Sequence, residues 1–191
     1  MENFGMAKVR FTCVPAHHFS LTNYFDLNSS LWCGWIITVF PDSPSKTSER
    51  HRTNTPGQRY VIFHTGDTAA HLRQERPGHE PGDAVANKAL FTGIKQCFPV
   101  IDLMLVPIDP VRGEERMHAN IDQVLDLIEF LKPHRFIPMH WGTWPYNEFK
   151  REDKVFGPVR EFERTMRNRW NRGWFEQKYR RLTVGQNVRL R

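Results

Sequence analysis

No run of about 18 apolar residues occurs in the 191 residues of the chain, so no membrane span is expected. The opening Met1-Glu2-Asn3-Phe4-Gly5 has no basic stretch followed by an apolar one, and no secretory signal is expected either. Cysteine is scarce: Cys13, Cys33 and Cys97 are an odd number with no Cys-x-x-Cys pair, which argues against a disulfide framework and a thiolate zinc knuckle. A reducing, cytoplasmic location is therefore the expectation. Cys13 and Cys33 fall within apolar strand-like runs and are expected to be small buried hydrophobes. No internal repeat is evident, so a solenoid is not indicated.

What is present suits a packed domain. Hydrophobic residues at 39% and charged residues at 25% match ordinary globular usage and exclude wholesale disorder. Charge is distributed unevenly: residues 150–191 hold 13 Lys and Arg against 5 Asp and Glu, whereas residues 1–149 hold 14 against 16. The basicity of the chain belongs to its tail, which suggests an anionic partner.

Apolar strand patterns occupy Val9 to Val14, Leu31 to Phe40, Tyr60 to His64, Ile101 to Val106 and Arg135 to Met139. In the second of these, Leu31, Cys33, Trp35, Ile37 and Val39 share one face. Ile121, Val124, Leu125, Ile128 and Leu131 recur at helical spacing, with Pro133 as the stop. Val155, Phe156, Val159, Phe162, Met166 and Trp170 form a second helical stripe, with Arg160, Arg164, Arg167 and Arg169 on its remaining surface. Leu182 to Leu190 is read as a closing hairpin. Residues 41–58 and 73–83 are polar, Pro-rich stretches without periodicity and are read as exposed insertions, with His71 and His79 solvated.

Three polar residues each follow a strand: His18 after Pro15-Ala16-His17, Asp67 after Thr65-Gly66, and His140 after Met139. Open α/β sheets hold their ligands at the carboxyl ends of strands, so these three are expected to converge. Two imidazoles and a carboxylate suit a borderline-soft cation such as zinc. Their separations are far from the compact His-x-x-x-His spacing, so the inference rests on strand ends rather than on a local signature.

Pro15-Ala16-His17-His18-Phe19-Ser20, Leu31-Trp32-Cys33-Gly34-Trp35, Thr65-Gly66-Asp67-Thr68 and His140-Trp141-Gly142-Thr143-Trp144, taken in order, resemble the metallo-β-lactamase superfamily. More narrowly they resemble its N-acylphosphatidylethanolamine phospholipase D branch, from about residue 8 to residue 144. The resemblance implies an α/β fold corresponding to the carboxyl-terminal half of an αββα sandwich. Residues 1–149 would form the partial domain, with the basic helical tail of residues 150–191 packing on it. It also implies a two-zinc site in which His18 completes the first metal position, Asp67 bridges both ions and His140 serves the second. His118 would be a non-ligand histidine meeting the substrate's phosphate or leaving group, or else a helix-start residue bonded locally. His17 would be a neighbour of the site.

The implied activity is phosphodiester hydrolysis in an N-acylated phospholipid. The family's His-x-His-x-Asp-His string is expected upstream of Val9, and the eight preceding residues do not contain it. Three ligands of roughly seven then remain, short of two four-coordinate shells, so weak zinc binding and impaired activity are expected of this chain alone. The segment Ile108 to Met117 also departs from the family's pattern. An uncovered sheet face would favour a second copy or a complementary chain as partner.

In the tail, Trp170, Trp174, Phe175 and Tyr179 alternate with Arg167, Arg169, Arg172, Lys178, Arg180 and Arg181. Three readings stay open: a helix packed on the sheet with a solvated basic face, a peripheral surface for anionic membrane lipid, and, less favoured, a nucleic-acid surface. A non-catalytic fragment or binding module using this tail is the alternative to the hydrolase.

Overall fold

The computed structural model describes residues 8–18, 33–40, 59–70, 72, 81–108, 119–141, 156–183 and 185–187. Five strands, β1 (Lys8–Pro15), β2 (Cys33–Phe40), β3 (Tyr60–His64), β4 (Leu103–Pro107) and β5 (Arg135–Met139), form one sheet in sequential order. The first three are antiparallel neighbours, and β3, β4 and β5 are parallel. Parallel neighbours need a crossover. Helix α1 (Pro81–Cys97) lies in the link from β3 to β4, and α2 (Ile121–Leu131) in the link from β4 to β5. Helices α3 (Gly157–Arg169) and α4 (Arg172–Lys178) follow. The fold is α/β, as expected.

Because β1 and β3 both run antiparallel to β2, the carboxyl ends of β1, β3, β4 and β5 lie at the same end of the sheet. Val14, Ile36, Val61, Phe63, Met104, Val106 and Phe136 join one buried cluster with Phe91 and Ile94 of α1, Val124, Leu125 and Ile128 of α2, and Val159, Phe162 and Met166 of α3. On the other face, Val9, Phe11 and Trp35 are exposed by 48%, 64% and 41%. The face shared by Cys33, Trp35, Ile37 and Val39 is thus the open side of β2, while Ile36 points into the core.

Several expectations change. Residues 81–83 do not continue a polar insertion but begin α1, where a proline in the first turn is tolerated because its missing N–H would have no helical partner. Cys13 is exposed and Cys33 half-buried, so neither is a core hydrophobe. Among the described residues of the expected closing hairpin, Gln186 donates its backbone N–H to Thr183 O without any strand ladder; Val184 and residues 188–190 lie outside the described set. The expected loop of 41–58, most of the insertion at 73–83, and the side chain of Phe175 also lie outside it.

Helix α2 is specified locally. Asn120 Oδ1 accepts from Gln123 N–H at 3.0 Å and Gln123 Oε1 accepts from Asn120 N–H at 3.1 Å, a reciprocal cap. Lys132 then turns left-handed and donates its N–H to Ile128 O. The tail packs on this frame. Trp170, Trp174 and Tyr179 place their ring centroids 6.2, 6.4 and 5.7 Å from that of Phe136, and Tyr179 hydroxyl donates to Glu163 at 2.9 Å. Burial, with the neighbouring Glu163 charge, pushes the Tyr179 pKa far above its ordinary value. Arg169, expected on the surface, is paired with Asp126 and with Glu129. Its desolvation would lower its pKa, and the two carboxylates outweigh that loss.

Candidate functional site

The site is built from three strand ends. Beyond β3, Thr65 N–H donates to Leu105 O at 3.1 Å, carrying the parallel ladder one residue past the strand before the chain turns. The turn residue Gly66 has φ +70° and donates its N–H to His64 Nδ1 at 3.1 Å. A Cβ on Gly66 would overlap the carbonyl oxygen of Cys33, and one on Gly34 would lie 2.7 Å from Thr65 O. Two glycines therefore let the β2 start and the β3 exit press backbone on backbone, which delivers Asp67 to the sheet's end.

The loop after β1 is stitched to the same turn. His17 N–H donates to Thr68 Oγ1 at 2.9 Å, and Ala69 N–H donates to His17 O at 2.7 Å. The fully buried Asn87 of α1 places its amide nitrogen 2.8 Å from His17 Nδ1. After β5, Ile108 N–H donates to Met139 O at 3.0 Å, and His140 adopts φ +63°. A left-handed conformation at a non-glycine residue costs of order 1 kcal/mol or more and is held only by its surroundings.

These devices bring His18, Asp67 and His140 together. His18 Nε2 lies 3.2 Å from Asp67 Oδ2, and His140 Nε2 lies 3.6 Å from the same oxygen. The three side chains keep 21%, 27% and 31% of their surface accessible, so the cluster borders solvent. Zinc bonds of about 2.0–2.2 Å in a tetrahedral shell set neighbouring donors about 3.3–3.6 Å apart. Each histidine–carboxylate pair has close to that spacing and a suitable donor chemistry. Among the described residues, however, no group of three or more His, Cys, Asp or Glu is arranged to hold an ion. The fit is to two donor pairs sharing one carboxylate, not to a closed shell.

His118 lies outside the described residues. Ala119, the next residue, donates its N–H to Thr68 O at 3.0 Å. Thr68 and Asn87 are contributions that strand-end reasoning does not find. Thr68 was visible only as part of the Thr65–Thr68 string, and Asn87 carries no local signal, since its role depends on α1 crossing behind the His17 loop.

A family model for the beta-lactamase superfamily domain matches residues 2–141. The chain belongs to the metallo-β-lactamase superfamily. This superfamily member is 28% identical over 137 residues to a mitochondrial N-acyl-phosphatidylethanolamine-hydrolyzing phospholipase D of Saccharomyces cerevisiae, a match covering 70% of the chain and 22% of that protein. It is 34% identical over 102 residues to a metal-dependent hydrolase of Nanoarchaeum equitans, covering 51% of the chain and 37% of the relative. The chain thus spans well under half the length of both curated relatives. A metallo hydrolase structure from the archaeon Ignicoccus hospitalis shares the fold with TM-score 0.50 and 20% identity, over 94% of this chain and 52% of that one. Among the described residues no helix is long and apolar enough to cross a membrane.

Proposed function

We propose that this superfamily member is a metal-dependent hydrolase acting on the phosphodiester of an N-acylphosphatidylethanolamine-like phospholipid. The observation that carries the reading is the approach of His18 and His140 to a single Asp67 oxygen, at 3.2 and 3.6 Å. The likeness to the yeast phospholipase D supports the substrate class. His18, Asp67 and His140 would hold the metal, Asp67 being the carboxylate common to both histidines. Bound zinc supplies Lewis acidity that activates water and offsets charge on a phosphoryl group. His118 gives a proton or hydrogen bond to the departing alkoxide, a role that requires approach to about 3 Å.

Among the described residues three donors stand against four per ion, which predicts weak affinity for zinc in this chain by itself. Calorimetric titration with zinc tests this. The expected result is binding weaker than about 1 μM that Asp67→Asn abolishes. Two ions held tightly would overturn the assigned weakness, and zinc uptake indifferent to Asp67 would overturn the site. Exposed Val9, Phe11 and Trp35 support a further polypeptide, either a second copy or a complementary chain, covering the open sheet face; light scattering reporting a monomer would count against it.

The second reading, a non-catalytic module, is favoured by the lack of a three-donor group among the described residues and by exposed Arg160, Arg164, Arg167 and Arg172. Its surface would bind anionic lipid. Cosedimentation with phosphatidylserine vesicles that disappears in an Arg160→Ala, Arg164→Ala, Arg167→Ala protein is the expected result; binding retained by that protein, or capture by an oligonucleotide alone, speaks against it.

A further inference from the structure

Beside the histidine and aspartate cluster lies a second group of reactive side chains that the proposed hydrolysis does not use. In the β1–β2 register, Cys13 stands opposite Trp35 and Pro15 stands opposite Cys33. The two cysteines are therefore diagonal neighbours on the same face, the open one, with Cys13 exposed and Cys33 half-buried. The Cys33 thiol has the Cys13 thiol as a neighbour that perturbs it. We propose that Cys13 and Cys33 are a modification site for hydroperoxides, closing into a reversible intrachain disulfide between β1 and β2.

The chemistry needs only the two thiols and the oxidant. Cys13 sulfur attacks a peroxide oxygen; an S–O bond forms, the O–O bond breaks and an alcohol or water leaves, producing a sulfenic acid. Cys33 sulfur then attacks that sulfur; the S–S bond forms and water departs. The two thiols give up two electrons, the peroxide accepts both, and the thiol protons end in the released alcohol and water. While the open face is uncovered, as in the single chain, Cys13 is exposed and meets the oxidant first. Burial and its Cys13 neighbour hold the Cys33 thiol above its ordinary pKa, against a smaller opposing effect of Trp35, which disfavours its own direct attack on peroxide.

Diagonal cross-strand positions have α-carbons about 7–8 Å apart, against about 4.4–6.8 Å in disulfides, so closure draws the strands together. Among the described residues β1 is an edge strand held by β2 alone, and it is free to yield. The resulting strain makes the bond easy to reduce. Closure also displaces the Cys33 peptide, whose carbonyl lies where a Gly66 side chain would begin, one residue before Asp67 in the chain.

The test uses the reduced full chain treated with hydrogen peroxide, alkylated, and mapped by mass spectrometry. The expected result is loss of the mass of two hydrogen atoms, a peptide linking Cys13 to Cys33, recovery with dithiothreitol, and Cys97 alkylated throughout. Cys33→Ser should stop at a Cys13 sulfenic acid trapped by dimedone. Separate sulfinic acids on Cys13 and Cys33, linkage to Cys97 or between chains, or both thiols still alkylated after oxidation would each overturn the proposal. None of these readouts depends on zinc or on hydrolysis.

Discussion

Each end of the parallel strands carries an aspartate facing histidine, and the two clusters have opposite characters. At the amino end, Asp102 precedes β4, accepts Val61 N–H at 2.7 Å and faces His134 Nδ1 at 3.3 Å. Val61, Asp102 and His134 sit beside paired strands, and Arg135 N–H also donates to Asp102 O. This carboxylate ties β3 to the start of β4 and closes off backbone donors. At the carboxyl end, Asp67 meets two imidazoles delivered by loops 49 and 73 residues away, through a left-handed glycine and a left-handed histidine. The same residue types clasp strands at one end and gather ligand-type donors at the other, because Asp102 accepts a backbone N–H with one oxygen and faces one imidazole with the other, whereas one Asp67 oxygen faces two imidazoles.

Substitutions can break that contrast. The largest expected effect is from Asp67→Asn: zinc affinity falls by at least about 100-fold, while the urea midpoint moves by less than about 0.5 kcal/mol equivalent. Equal losses in affinity and stability would make Asp67 a second clasp. Next, Gly66→Ala should cost about 2 kcal/mol of stability through its positive φ and its overlap with Cys33 O, and it should weaken zinc binding as well, read by denaturation and calorimetry together. Asp102→Ala leaves the Val61 amide without its carboxylate partner and should cost about 1.5 kcal/mol, with zinc affinity unchanged; a change in affinity would show that the two ends are coupled.

The smallest effect comes from alkali and separates the helical tail from both clusters. Tyr179→Phe loses the bond to Glu163, about 1 kcal/mol at neutral pH. The folded Tyr179 pKa is raised, so its stabilisation is complete below the ordinary value of 10.0 and drains away as pH rises past it, when the unfolded chain ionises first. Urea unfolding at pH 7 and pH 11 should show the wild type losing more stability than the phenylalanine protein. A constant gap would refute the buried phenol.

Elements with strong local patterns were legible in advance. The apolar spacing from Ile121 to Leu131 and the stop at Pro133 specify α2 almost to the residue. Helix α1 was not legible: among its described side chains those buried at helical spacing are Asn87, Phe91 and Ile94, so the stripe includes a polar side chain that has a tertiary task. The strand of Cys33 and Trp35 was legible, but not which of its faces looks inward, since Ile36 and Ile37 offer apolar surface on both sides. Arg169 looked like part of a solvated stripe, because its carboxylate partners belong to a helix some 40 residues earlier.

For this protein, residue order established the strands, the amphipathic helices, and a histidine or aspartate just past three strand ends. Such features depend on neighbours within a few residues, where periodicity and turn chemistry act. That those three side chains meet, that cysteines of β1 and β2 become diagonal neighbours on one face, and that a second aspartate–histidine pair serves as a clasp depend on strand order, direction and register. Contacts of about 3 Å between residues dozens of positions apart are decided by the closing of the sheet, which no local pattern encodes.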